Sequence, residues 1–353
     1  MPLASSSAPL PSLTPLRGIA ALTVVLLHIH LGPFQRAYMA VDLFFVLSGF
    51  VLAHVYHREF DQSLSLRRVG RFLWARLARI YPMHLFTTLL AVLTYVEPQP
   101  LAWQAIVGAV LLIRVPFMPS LHLIPFAWSV SAEWNAYLVF PFVVRFLMRG
   151  PAVAAMALAA ALVLLLNIAV IAWFGGTIDI GGDWLALLRA LPQVALGILA
   201  YRLYRSGAGS KWMRSDLAFL QVGTAIVVAL AVGSDGLTVS LFPPLLLVAV
   251  SNDGVLGRAL NAAPFVWLGD ISYSLYLWQT FAIRFGANAA PWVGPTIGFL
   301  GVQLMTLAVA LVFADFLHRR VELPCRAMMR RLAAPGGDPA LPAAAPRIGS
   351  EAR

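Results

Sequence analysis

The chain has 353 residues, of which 60% are hydrophobic and only 11% are charged. Soluble domains carry about a quarter charged residues, so this composition excludes an ordinary soluble protein and predicts an all-α polytopic membrane protein. The apolar runs are continuous and lack the two-residue alternation of lipid-facing strands, which argues against a barrel. The net charge of +10 indicates an anionic lipid surface or a polyanionic substrate, and we expect no nucleic-acid partner.

The first predicted span, residues 13–31, follows a Ser/Pro-rich lead at 1–12 that we expect to be flexible. It contains Arg17 and His28, eleven positions apart, which places both on one helix face roughly 16 Å apart along the axis. Because charge in lipid is costly, we expect this face to meet the bundle interior and a hydrated pocket. The alternative is that Arg17 extends to the headgroups and that His28 is a satisfied interior histidine.

The second predicted span, 39–56, contains Asp42, and the third, 81–95, follows a basic segment at 57–80. Residues 101–115 are apolar but too short to cross a bilayer, so we interpret them as a re-entrant or interfacial piece. Seven further spans bring the predicted total to ten: 126–147, 152–174, 184–204, 216–233, 237–251, 264–285 and 293–317. The transmembrane domain therefore covers 13–330, and the Ala/Pro-rich residues 331–353 are predicted to be a disordered tail.

The distribution of basic residues supports this arrangement. With ten spans and cytoplasmic termini, nearly all Lys and Arg lie in cytoplasmic loops, and only Arg36 and Arg114 lie outside. If 101–115 counted as a full span, every later basic cluster would move outside. The charge pattern therefore favours the re-entrant interpretation.

Five motifs occur in order along the chain: Arg17 followed by His28, VDLFFVLSGF at 41–50, RLARIYP at 76–82, WSVSAE at 128–133 and LGDISYSLYLW at 268–278. Together they resemble the membrane-bound acyltransferase 3 family. The resemblance implies a ten-helix bundle in the bacterial inner membrane that transfers an acyl group, usually acetyl, from cytoplasmic acyl-CoA to a hydroxyl. The implied acceptor is a carbohydrate, such as a surface or exported polysaccharide or a glycolipid. We expect the stand-alone form, without the esterase-like domain that many relatives carry.

The family's signature residues correspond here to Arg17 and His28. Acyl transfer to an alcohol needs a base and donors for the oxyanion, and the imidazole of His28 suits a general base or a transient acyl carrier. Arg17 would hold the site electrostatically or meet a phosphate. Asp42 is a candidate for orienting His28 or pairing with Arg17, or else is an acid at a helix start. Glu133 is a membrane-embedded carboxylate with either a catalytic role or a structural ion pair.

Arg76 and Arg79 lie three positions apart and share a helix face, where two guanidinium groups suit the phosphates of coenzyme A. The alternative for both is ordinary anchoring at the cytoplasmic surface. Tyr273 and Tyr276 are candidates for lining the acceptor path, with aromatic packing as the alternative. Gln279 stands where the family commonly has His, which bears on contacts to the acceptor.

The other histidines form no metal-ligand spacing and the chain has one cysteine, so we expect no metal. Glu322 precedes a Pro in a family-like pattern, although an ion pair with Arg319 or Arg320 would also explain it. Two alternatives remain open: a transporter or export component for a sugar or anion, and an acyltransferase for a secreted small molecule such as a macrolide. The oligomeric state is not predicted.

Overall fold

A computed structural model describes residues 10, 12–94, 103–114, 123–179, 185–207 and 210–332. Within these ranges the chain forms helices and no strand, which confirms the predicted all-α class. Most of the predicted flexible lead, and residues 333–353 of the predicted tail, lie outside the described residues.

We number the α-helices in chain order. They are α1 Leu13–His28, α2 Ala40–Gln62, α3 Leu66–Leu93, α4 Trp103–Val110, α5 Trp128–Leu147, α6 Ala152–Phe174, α7 Leu185–Ser206, α8 Ser210–Met213, α9 Asp216–Ala231, α10 Asp235–Ser251, α11 Val255–Leu260, α12 Ala263–Leu317 and α13 Leu323–Leu332. Short 3₁₀ turns precede α2 and α5, and a π-helical turn, His318–Glu322, joins α12 to α13.

Four described segments are long and apolar enough to cross a membrane: Ala37–Gln62, Val153–Trp173, Leu185–Ser206 and Ala263–Leu332. Three shorter helices are also apolar: α1, α9 and α10. By this measure of length and composition, the predicted count of ten spans is not confirmed.

The basic segment at 57–80 is helical apart from residues 63–65, because α2 continues to Gln62 and α3 already begins at Leu66. The side chain of Ser65 caps α3 by accepting a hydrogen bond from the backbone N–H of Arg68 at 3.3 Å. Arginine has a high helix propensity, so the helix can continue through the arginine-rich residues that precede the apolar run. Arg76 and Arg79 therefore lie in the middle of α3.

Helix α4 has only eight residues, a length of roughly 12 Å. His84 of α3 holds the C-terminal part of α4 through a hydrogen bond between its Nε2 and the carbonyl of Ala109 at 2.8 Å. Helix α12 is interrupted at Gly298, whose φ of 67° and ψ of 176° are accessible essentially only to glycine. The last two predicted spans, 264–285 and 293–317, leave residues 286–292 as their predicted connection. The structure instead interrupts the helix at Gly298, inside the last predicted span.

The two most extensive helix contacts join α1 to α12 and α2 to α7. Each depends on a pair of glycines. A Cβ atom on Gly18 would overlap the backbone of Gly269, and one on Gly49 would overlap the carbonyl of Val194. Gly197, in turn, faces the carbonyl of Val46. Small residues let transmembrane helices approach closely, so these four glycines set the two interfaces.

Candidate active site

Arg17 faces α12. Its Nε donates to the hydroxyl of Ser272 at 3.1 Å, and one terminal nitrogen donates to the carbonyl of Gly269 at 3.2 Å. The guanidinium is also within electrostatic range of Glu322, Glu133 and Arg79. The polar face predicted for α1 therefore meets another helix through Arg17.

His28 also contacts α12, at Gln279. Its Nδ1 lies 3.2 Å from Oε1 of Gln279, and its ring packs on Phe126 with the ring centroids 4.0 Å apart. From Arg17 to His28 along α1, the contacts advance from Gly269 to Gln279 along α12, so the two helices run parallel. Arg17 and His28 thus stay about three helical turns apart, each beside its own polar partner.

The amide of Gln279 favours one tautomer of His28. Gln279 is fully buried, and its Nε2 donates to the carbonyl of Tyr276 at 2.9 Å. Its Oε1 is therefore the atom that faces the imidazole, and an amide oxygen can only accept. Nδ1 of His28 must carry the proton, which leaves the lone pair on Nε2. The sequence assigned Gln279 to acceptor contacts, whereas the structure places it against His28.

Glu133 lies between α5 and α2. Its Oε1 accepts hydrogen bonds from the hydroxyl of Ser48 at 3.1 Å and from the hydroxyl of Tyr137. Both donors are neutral, so these contacts leave the carboxylate charge without a directly bonded cation. The sequence left open whether Glu133 is a catalytic residue or a member of a structural ion pair. These two hydrogen bonds come from hydroxyl groups, so they do not form an ion pair.

Asp42 is fully buried and binds Arg189 of α7 through two hydrogen bonds of 2.8 and 2.6 Å. It also accepts a hydrogen bond from Gln193. The guanidinium of Arg189 lies 5.2 Å from the ring centre of Trp128. The expected pairing of Asp42 with His28 or Arg17 is therefore replaced by a pairing with Arg189. The physical reason is that Asp42 lies on the α2 face that packs against α7.

Arg76 and Arg79 have different partners. Arg76 donates to the hydroxyl of Tyr56 at 3.1 Å, whereas Arg79 forms an ion pair with Glu322 at 2.6 Å. Glu322 is fully buried and also binds Ser274 at 2.8 Å and His318 at 3.1 Å. The partner of Glu322 is thus Arg79, and not the Arg319 or Arg320 expected from proximity in sequence.

Tyr273 and Tyr276 both use their hydroxyls inside the bundle. Tyr273 donates to the carbonyl of Ile80 at 2.5 Å, and Tyr276 shares a 2.8 Å hydrogen bond with Ser129. Tyr276 also donates to the carbonyl of Phe126 at 3.0 Å, which holds the aromatic residue that packs on His28. These contacts connect Tyr276 to His28 through Phe126, while Tyr273 joins α12 to α3.

A small cavity with room for about one water molecule lies between α3, α4 and the start of α5. It is lined by His84, Thr88, Arg114 and Ser131 among others, and not by Arg17 or His28. The hydrated pocket predicted around Arg17 and His28 therefore stays a prediction.

Sequence reasoning missed Arg189, Gln193 and Phe126. Arg189 had a detectable signal, because it is a cation inside an apolar helix and an acid buried in lipid requires a cation. Gln193, one turn later, lies on the same face. Phe126 carries no such signal, since an aromatic residue in an apolar run is indistinguishable from packing.

These features define a helical membrane protein in which polar and charged side chains are held between helices. The family model described as "Acyltransferase domain" matches residues 10–315. The chain therefore belongs to the membrane-bound acyltransferase 3 family, and it is an O-acyltransferase.

Three relatives illustrate the similarity. "Acyltransferase MdmB" of Streptomyces mycarofaciens is 30% identical over 390 residues, covering 94% of this chain and 96% of that protein. "O-acetyltransferase OatA" of Staphylococcus aureus is 23% identical, covering 90% of this chain and 57% of that protein. "Protein 2 in picA locus" of Rhizobium radiobacter is 33% identical over 145 residues, covering 33% of this chain and 73% of that protein. No solved structure matches the chain.

Proposed function

We propose that the protein transfers an acetyl group from acetyl-CoA to a hydroxyl of a carbohydrate acceptor, such as a surface or exported polysaccharide or a glycolipid. The similarity to a protein named as an O-acetyltransferase supports the acetyl group, and the family resemblance supports the donor and the acceptor class. We further propose a multi-pass protein of the bacterial inner membrane with ten spans and cytoplasmic termini, on the basis of the apolar helices and the distribution of Lys and Arg.

In this orientation, Arg17 lies toward the cytoplasmic end of α1 and His28 toward the outer end. The separation of roughly 16 Å along the axis assigns them different tasks. Arg17, within electrostatic range of Arg79 and Glu322, acts on the donor side. His28 acts on the acceptor side as the general base.

The observation that best supports His28 as the general base is its hydrogen bond with Gln279. It fixes the proton on Nδ1 and leaves Nε2 to accept the proton of the acceptor hydroxyl. As that oxygen forms the new ester bond to the acyl carbon, the thioester bond breaks, the proton held on Nε2 passes to the departing sulfur, and coenzyme A leaves as a thiol. A base that is oriented in this way contributes about 10²–10⁴-fold to such a step.

The experiment uses purified full-length protein, acetyl-CoA labelled in the acetyl group and a candidate glycan acceptor. We expect acceptor-dependent release of free coenzyme A, and an about 10²–10⁴-fold decrease in the His28→Ala variant, because the general base is lost. His30→Asn is the matched control: His30 is exposed at the same helix end with φ of 53°, which asparagine tolerates. Full activity of a folded His28→Ala variant would exclude His28 as the base.

The same assay separates the transferase from a transporter or export component. A transporter would move its substrate without consuming the thioester, so release of coenzyme A would not depend on the acceptor. Label recovered on the acceptor as a base-labile ester would support the transferase.

A further inference from the structure

Four arginines gather where α13 packs against α3. We call them the arginine cluster: Arg76 and Arg79 of α3, and Arg326 and Arg330 of α13. Arg326 is within electrostatic range of the other three, and Arg330 is within range of both α3 arginines. Like charges are thus collected between two helices that lie far apart in the sequence.

Specific contacts hold α13 in this position. Nε1 of Trp74 donates to the carbonyl of Met329 at 2.8 Å, and the π-helical turn before α13 contributes Glu322 to the ion pair with Arg79. Arg326 and Arg330 are four residues apart, so they share one face of α13. Both are partly buried, whereas Arg331 is exposed.

The carboxylate beside the cluster, Glu322, forms an ion pair with one of its four members, Arg79, which leaves the charges of Arg76, Arg326 and Arg330 without a carboxylate bonded to them among the described residues. Glu322 already binds Arg79, His318 and Ser274. Among the described residues, no acceptor reaches the buried Nε atoms of Arg76, Arg326 and Arg330. Buried donors without acceptors and a concentration of like charge are both unfavourable, and an anion with several oxygens relieves both.

We propose that Arg76, Arg326 and Arg330 form a phosphate-binding site, and that its occupant is the 3′-phosphate and pyrophosphate portion of the acyl-CoA donor. The proposal rests on the proposed function and deepens it. The sequence assigned the phosphates to Arg76 and Arg79. The structure instead commits Arg79 to Glu322 and brings two arginines of α13 into the site.

The same chemistry would also suit the phosphate of an anionic lipid headgroup. Charge excess alone does not separate the two sources. The donor is favoured because Arg79, a member of the cluster, and its partner Glu322 are both within electrostatic range of Arg17.

The test measures binding of labelled coenzyme A to the full-length protein in nanodiscs of phosphatidylcholine. Replacing both α13 arginines (Arg326→Gln with Arg330→Gln) should weaken binding about tenfold or more, because charge-assisted hydrogen bonds to phosphate are lost. Arg331→Gln, an exposed position on the same helix, is the matched control and should change binding less than about twofold. The parent protein should bind coenzyme A more tightly than dephospho-coenzyme A, and the double variant should lose much of this preference.

A folding control uses Arg326→Lys with Arg330→Lys, which retains both charges and should retain a large part of the affinity. If the glutamine variant bound coenzyme A as tightly as the parent, the proposal would be overturned. A glutamine variant that kept its coenzyme A affinity but lost binding to phosphatidylglycerol would assign the cluster to lipid instead.

Failure of this proposal is distinguishable from failure of the proposed function. If the parent protein binds coenzyme A but releases none from acetyl-CoA with any acceptor, the proposed function fails while the phosphate site stands. If the parent protein transfers the acetyl group and the glutamine variant does so with unchanged KM for acetyl-CoA, only the phosphate site fails.

Discussion

The interfaces α1–α12 and α2–α7 are built alike but use their polar residues differently. Glycines bring both helix pairs into close contact. Between α2 and α7, Asp42 and Arg189 neutralise each other and are fully buried. Between α1 and α12, the partners that hydrogen-bond Arg17 and His28 among the described residues are neutral, namely Ser272, the Gly269 carbonyl and Gln279, and both side chains stay partly exposed. A self-compensated pair leaves no charge to act on a substrate, whereas a charge or a lone pair that is left available can do so.

Breaking the buried ion pair should give the largest effect. Asp42→Leu alone leaves Arg189 buried without its counter-charge, so we expect a loss of about 3–5 kcal/mol in the free energy of unfolding. Thermal or denaturant unfolding in detergent measures this loss. The double change of Asp42→Leu with Arg189→Met removes both charges and should recover most of the stability.

The contrast between the α2–α7 interface and the α1–α12 interface would be wrong if the double variant were folded but had no activity. That outcome would give the α2–α7 pair a direct role in catalysis. The matched control for the single variant is Asp61→Leu, because Asp61 forms its ion pair with Arg149 at an exposed site.

Removing the partner of His28 should have an intermediate effect. Gln279→Leu deletes the acceptor that fixes the imidazole tautomer, and we expect kcat to decrease about tenfold to a hundredfold, as on loss of one buried hydrogen bond. KM for acetyl-CoA should change little, because the proposed donor site lies at the other end of α1.

Gln279→His restores an acceptor nitrogen and is the residue that the family commonly carries, so it should recover much of the lost kcat. Equal activity of the leucine and histidine variants would show that the hydrogen bond to Gln279 does not position His28.

The smallest effect is expected at Ser272. Ser272→Ala deletes one hydrogen bond to Arg17 but leaves the contact of Arg17 with the Gly269 carbonyl. We expect KM for acetyl-CoA to rise less than about tenfold, with kcat nearly unchanged. Thr306→Val is the control, because the buried hydroxyl of Thr306 donates to the carbonyl of Val302 in its own helix. A large decrease in kcat for Ser272→Ala would indicate that Arg17 acts on the reacting atoms and not on the donor side.

The sequence predicted which residues share one face of a helix, because that follows from the helical periodicity alone. Arg17 and His28 share a face because eleven residues return to nearly the same angle. Long apolar runs predicted most helix positions, although α3 and α12 differ where arginines extend a helix and where Gly298 interrupts one.

Partners across helices were not predictable in the same way. Which acid meets Arg79, or which cation meets Asp42, depends on how distant helices pack, and a single sequence does not encode that order directly. Arg326 and Arg330 were counted only among the cytoplasmic basic residues, because a positive-inside residue and an arginine of the proposed phosphate site look identical in a sequence.

The parallel pairing of α1 with α12 has a consequence for biosynthesis. His28 and Gln279 are separated by 251 positions, so the first helix leaves the ribosome long before its partner is made. At about 5–20 residues per second, this delay amounts to some tens of seconds. During this interval a nascent chain therefore carries Arg17 and His28 without their partners on α12, and the arrangement of the candidate site can form only after α12 has been synthesised.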